Sequence, residues 1–225
     1  MDGILLINKP EGISSFDCIR ILRKNLTFKK IGHAGTLDPS ASGLMIMLLG
    51  KACKSADQYS KLDKTYDAVV RLGVRSDTGD REGQLTESAT ESVVPTQSTV
   101  MQVLNSFLGE ITQIPPKYSA IKISGQEAYK RARRGEDFEM PKRQVTIYGV
   151  RLKSYNYPDL HIEIDCSSGT YIRTLAQDIG EQLGTGGYLL KLVRTRIGKM
   201  TINGAVDLDK ATPDSLPGIL GGYFP

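Results

Sequence analysis

The stretch that most restricts how this chain can fold runs from Gly32 to Leu49. Twelve residues crowded with glycine, proline and small side chains, Gly32-His-Ala-Gly-Thr-Leu-Asp-Pro-Ser-Ala-Ser-Gly43, lead directly into the apolar run Leu44–Leu49. Six apolar residues bounded by turn formers read as a buried strand, and they fall far short of the ~20 needed to cross a bilayer. Pro39 disfavours the helical region for Asp38 and pushes it toward extended backbone, while Gly32, Gly35 and Gly43 allow tight turns and close approach by a ligand. Asp-Pro alone marks an ordinary turn. The density of constrained positions around it describes a loop built to present one carboxylate, Asp38, with His33 five positions earlier.

The remaining elements mix helix and strand. Ser14-Ser15 can cap a helix to about Lys24, with Phe16, Ile19 and Leu22 inward. Ala52, Ala56, Tyr59 and Leu62 follow at helical spacing, and Lys64 to Leu72 alternates as a strand with Tyr66, Ala68, Val70 and Leu72 on one face. Past a polar stretch, Asp77–Gly83, and an acidic Ser/Thr-rich loop, Thr96 starts an amphipathic helix that Gly109 can end. Val145–Leu152 and Leu160–Cys166 read as strands joined at Asn156–Asp159. Hairpins interrupt any βαβ alternation, which predicts an α+β domain with a mixed, largely antiparallel sheet.

Composition narrows the function. With 225 residues, 24% charged and 40% hydrophobic, the chain can bury a real core. Its beginning, Met1-Asp-Gly-Ile-Leu-Leu-Ile7, lacks the basic region and length of a signal peptide, so a cytoplasmic protein is expected. Cys18, Cys53 and Cys166 form no CxxC pair, and His33 and His161 are the only histidines, so reduced thiols and no metal site are expected. His161 falls on the solvent face of its strand.

Two segments point to an anionic partner. Lys117–Arg143 holds eight basic residues, including Lys117, Lys122, Lys130, Arg131, Arg133 and Arg134, against four acidic ones, an excess equal to the +4 of the whole chain. Charge alone fits a solvated helix face or a phosphate-binding surface; the interleaved Tyr118 and Tyr129 favour nucleic acid. Further on, Cys166–Leu175 opens a helix with the stripe Ile172, Leu175, Ala176, Ile179 and Leu183, closed by Gly184. That stripe leaves Arg173 off the core face in the first helical turn, where the helix dipole disfavours a cation. It is either an incidental surface arginine or one placed for an anion.

Five ordered segments then carry a resemblance: Asn8–Ser15, Gly32–Leu44, Lys64-Thr-Tyr66, Pro115–Lys122 and Cys166–Thr174. Together, over about residues 1 to 205, the chain resembles the TruB family of tRNA pseudouridine-55 synthases. The resemblance implies the pseudouridine synthase fold, a curved mixed sheet flanked by helices with an RNA-binding cleft. Asp38 matches the catalytic aspartate, Arg173 its ion-pair partner, and Tyr66 the tyrosine that stacks on the target base. His33 matches the histidine that helps hold the T-loop open, and Tyr171 and Leu192 match contacts to the flipped nucleotide. Lys9 and Pro10 match a mainly structural motif. On strand position alone Tyr66 is a core residue; the Lys-x-Tyr match gives it the stacking role.

Isomerising uridine to pseudouridine breaks the N1–C1′ bond and rejoins the base through C5, with no redox change, so no cofactor and no metal are expected. It needs an ionised carboxylate, which a nearby arginine favours. Asp38 could attack C1′ or uracil C6, or promote glycal formation. The base must first be flipped out of the T-loop. The implied partner is the T-arm of tRNA, bound by a monomer. Departures are Gly186-Gly-Tyr-Leu189 for Gly-Ala-His-Leu, and Val193-Arg194 for an Arg-Arg pair, which puts one phosphate contact in doubt. The expected layout is a catalytic domain over 1–205 and a short tail over 206–225, without a complete PUA domain. Two alternatives stand beside it: an RNA-guided synthase subunit, and a tRNA-binding or tRNA-folding protein without turnover.

Overall fold

The computed structural model describes residues 2–26, 28, 30–88, 94–123 and 125–212. Part of the acidic loop before Thr96 and most of the expected tail therefore lie outside the described residues. The chain forms two compact units, one of residues up to Tyr66 together with those from Leu192 onward, the other Asp67–Lys191.

The first unit begins with β1 (Gly3–Lys9), α1 (Ser15–Leu26), β2 (Ile31–Ala34), β3 (Ser42–Leu49) and α2 (Ala56–Ser60), and enters β4 (Lys64–Leu72). β3 is antiparallel to both β1 and β2, with Leu6 opposite Ile46 and His33 opposite Met47. Leu44–Leu49 are fully buried, and this is why β3 reads as a continuous apolar run with no polar alternation. One side of the core gathers Ile4, Ala34, Leu44, Ile46, Leu48, Ala52 and Tyr59. In α1, Ile19 and Leu22 are buried as expected and Cys18 is buried with them, but Phe16 is 58% exposed. It sits in the first turn, beside the Ser14–Asp17 cap in which Ser14 N and Oγ donate to Asp17.

The second unit continues β4 and adds β5 (Val74–Ser76), β6 (Leu85–Glu87), α3 (Gln97–Ser106), β7 (Gly109–Gln113), β8 (Lys122–Ile123), β9 (Gln126–Glu127), α4 (Ala128–Arg133), β10 (Arg143–Asn156), β11 (Asp159–Cys166) and α5 (Ile172–Gln182). Its sheet has the order β4-β11-β10-β7, and β10 is antiparallel to β7 and β11. Thr96 caps α3, its Oγ1 accepting from Thr99 N at 3.2 Å. Gly109 does not merely end that helix: it opens β7, whose φ of +92° lets the chain turn straight into a strand. His161 is not on a bare solvent face but pairs through Nε2 with Asp67.

The chain returns to the first unit within β12 (Gly187–Ile197), followed by β13 (Met200–Thr201) and β14 (Val206–Asp207). Its second half runs parallel to β3, with Arg194 level with Gly43, and β14 pairs parallel with β1. An α+β architecture with mixed sheet pairing and flanking helices results. Among the described residues no helix is long and apolar enough to cross a membrane.

Candidate active site

In the first unit the segment joining β2 to β3 is tied down residue by residue. The hydroxyl of Ser15 accepts from Leu37 N and donates to Leu37 O, both at 2.9 Å, fixing the residue before Asp38. Asp38 O accepts from Ala41 N at 3.1 Å, which closes a turn with Pro39 in its second position, where the fixed proline φ fits. Pro39 O accepts from Gly12 N at 2.9 Å and from Lys9 Nζ at 3.4 Å. Lys9 is fully buried, its ammonium also donating to Pro10 O and Ile13 O at 2.9 and 2.7 Å. Burial pushes the Lys9 pKa down, and the charges of Cys18 and Asp38 push the other way. Asp38 itself is half-buried, held by a backbone that has little freedom left.

On the other side of the loop lies Arg194, only 1% exposed. Its Nε donates to Leu44 O at 2.8 Å, Nη2 to Gly35 O at 3.1 Å and Nη1 to Thr36 O at 3.5 Å, and a further hydrogen bond joins it to the Tyr66 side chain. Burial lowers its pKa, and Tyr66 partly offsets this. Gly43, at φ +108°, is required by this approach: a Cβ there would lie 2.4 Å from Arg194 O. The close neighbour anticipated at Gly43 is therefore the chain's own backbone. Tyr66 and Leu192 are both 8% exposed. His33 on β2 carries a buried Nδ1 without a hydrogen-bond partner, and burial, then the charge of Arg194, lowers its pKa.

In the second unit Arg173 is 5% exposed, which corrects the helical stripe that left it off the core face. Its Nη1 donates to Thr78 O at 3.1 Å and lies 3.7 Å from Asp80 Oδ2, while Nη2 donates to Tyr118 O at 2.9 Å. A buried carboxylate and two carbonyls offset the unfavourable helix dipole. Asp80 is in turn fixed by Thr78 Oγ1 at 2.7 Å and Glu82 N at 3.0 Å. Tyr171, at the N-cap of α5, is gripped through its main chain by the Gln113 side chain, with contacts of 3.2 and 3.0 Å.

The basic segment is partly self-neutralised. Lys117 pairs with Asp137 at 3.0 Å, Lys130 with Glu127 at 3.1 Å, and Arg131 and Arg134 both with Glu136 at 2.7 Å. Phe138 carries the Arg131 guanidinium 4.5 Å from its ring centre and the Lys117 ammonium at 5.5 Å. Arg133 lies over Tyr129 at 5.5 Å, and Lys122 is exposed on β8. The helix here is short, Ala128–Arg133, and residues 126–127 belong to β9.

Comparison with known proteins decides the family. Residues 23–172 match the model of the TruB family pseudouridylate synthase N-terminal domain, and residues 173–212 that of the tRNA pseudouridylate synthase B C-terminal domain. This chain belongs to the TruB family. A tRNA pseudouridine synthase B of Burkholderia pseudomallei is 46% identical over 209 residues, 93% of this chain and 68% of that protein. One from Dehalococcoides mccartyi is 43% identical over 224 residues, 100% of this chain and 74% of its own length. Among solved structures, a chain from a Cbf5-Nop10-Gar1 complex superposes with a TM-score of 0.72 at 27% identity, covering 92% of this chain and 52% of that one.

Within this TruB-family chain, Asp38, Tyr66, His33 and Leu192 fall in the first unit, and Tyr171, Arg173 and the basic residues in the second. Sequence reasoning missed Asp80, Gln113 and Arg194. Asp80 lay within a stretch read only as polar, and Gln113 in a strand not anticipated. Arg194 was read only as the remaining member of an Arg-Arg pair, and with Lys191 and Arg196 in the same stretch nothing set it apart.

Proposed function

We propose that this TruB-family chain isomerises uridine to pseudouridine at position 55 in the T-loop of tRNA, acting in the cytoplasm as a monomer on the T-arm. The observation that carries it is Asp38, a single carboxylate presented by a loop whose main chain is fixed by Ser15, Lys9 and Arg194. A reaction that cleaves a sugar–base bond and rejoins the same fragments gains most from a rigidly placed acid.

In this reading the target uridine is flipped out of the loop, stacks on Tyr66, and is contacted by Tyr171 and Leu192 while His33 holds the T-loop open. Asp38, with Arg173 as its ion-pair partner, acts at the nucleoside. The N1–C1′ bond breaks, C1′ joins C5, and the C5 proton is lost as N1 gains one, so the balance needs no redox partner. Lys122, Arg133 and the partly neutralised Lys117, Lys130, Arg131 and Arg134 supply backbone contacts. Higher identity to proteins named tRNA pseudouridine synthase B than to the Cbf5 chain supports tRNA as substrate over an RNA-guided role.

Turnover of an unmodified tRNA transcript tests the reading. Asp38→Ala should lower pseudouridine formation by about a thousandfold or more with tRNA binding retained. Binding without isomerisation by the wild type would replace the synthase with a tRNA-binding protein.

A further inference from the structure

Among the described residues Arg194 is the largest side chain buried to under 2% exposure, and the proposed reaction gives it no part. A cation so placed is costly unless its donors are satisfied. Here they are, and by a particular set. Three carbonyls, those of Gly35, Thr36 and Leu44, lie at the two ends of the segment that carries Asp38, and the remaining partner is the side chain of Tyr66. All of these groups belong to the first unit. The parallel pairing of Arg194 with Gly43, where no Cβ fits, brings the arginine main chain against the same loop.

We infer that Arg194 is a positioning residue that fixes the Asp38 loop relative to the Tyr66 hydroxyl and makes no contact with RNA. The inference rests on the roles proposed above for Asp38 and Tyr66. A guanidinium with 1% exposure presents no surface to a phosphate. Its planar fork spans several acceptors at once, whereas a lysine ammonium delivers its donors from one point. The same geometry tolerates Val193 beside it: an arginine at the neighbouring position would point to the other face of β12 and could not share these acceptors.

The test compares Arg194→Lys and Arg194→Met with wild type on an unmodified tRNA transcript. Both should lower the single-turnover rate at saturating tRNA by about a hundredfold, while the tRNA dissociation constant stays within about twofold. The salt dependence of binding should not change, because no phosphate contact is lost. Tyr66→Phe combined with Arg194→Lys should lose less than the product of the single losses, as expected when two groups act through one contact. Rates are referred to the tRNA-binding fraction of each enzyme. If neither Arg194 variant folds, Tyr66→Phe, which removes only the hydroxyl, carries the test through its own rate at saturation. Weaker binding with a shallower salt slope and an unchanged saturated rate would make Arg194 an RNA contact and overturn the inference. Turnover by Asp38→Ala would overturn the functional reading; normal turnover by Arg194→Lys where Asp38→Ala is inactive would overturn this inference alone.

Discussion

Arg173 and Arg194 are both buried cations, at 5% and 1% exposure, and each is held in a different way. Arg173 stands in the first turn of α5, against the helix dipole, and has the Asp80 carboxylate 3.7 Å from its Nη1 as well as two carbonyls. Arg194 stands inside a strand and, among the described residues, no carboxylate lies within ion-pair distance of it; carbonyl oxygens and Tyr66 do all the compensating. A carboxylate neutralises a charge, whereas main-chain dipoles only solvate it. The first arrangement ties a helix start to a polar loop; the second ties one loop to itself and leaves the cation's field intact.

The largest effect should come from removing the neutralising partner. Asp80→Ala removes the carboxylate that lies 3.7 Å from the Arg173 guanidinium, at a cost of about 3–5 kcal/mol. For a chain of this length that is a fall of roughly 10 °C in the melting temperature, measurable by calorimetry. A loss under about 1 kcal/mol would show that the Asp80 carboxylate adds little to what else holds Arg173, and the contrast would collapse.

Gly43→Ala probes the other arginine without touching its charge. The new Cβ would meet Arg194 O at 2.4 Å and N at 2.6 Å, main-chain atoms that cannot swing away, and φ +108° adds strain. A loss of about 3 kcal/mol in denaturant unfolding is expected, with slower turnover in the folded fraction. Wild-type stability would mean that β3 and β12 can separate at this point without disturbing the loop.

What the sequence revealed follows the range of the forces involved. The turn at Asp38-Pro39, the buried run of β3, the alternation of β4 and the Thr96 cap are set by neighbours a few residues apart, and each appears where expected. The supports of the site are not local. Gln113 reaches Tyr171 across 58 positions and Arg194 reaches Gly35 across 159, so nothing in the flanking residues announces either. The misplacement of Arg173 has the same origin. A helical stripe records which side faces apolar neighbours, and it is silent about a polar pocket built by Thr78, Asp80 and Tyr118. The basic stretch shows the limit of a net count: the excess over Lys117–Arg143 does not say which of its cations Glu127, Glu136 and Asp137 engage.

The smallest effect sharpens the comparison most, because it reads the field that Arg194 retains. His33 has its pKa lowered below 6.5, first by burial and then by Arg194, and its buried Nδ1 has no acceptor for an added proton. The folded protein therefore resists protonating His33 while the unfolded chain accepts the proton near its ordinary pKa. As pH falls below about 6.5 the unfolded state binds more protons, so stability drops until His33 also protonates in the folded state, with a slope of at most about 1.4 kcal/mol per pH unit. His33→Gln should remove this component, seen as a flatter dependence of the denaturant midpoint on pH between about 6.5 and 5. Arg194→Met should reduce the component but leave the larger part due to burial. Asp80→Ala should leave it unchanged, since no part of it comes from Arg173. An identical slope in wild type and His33→Gln would mean that His33 titrates alike in both states, and that the field of Arg194 is screened where it should be strongest.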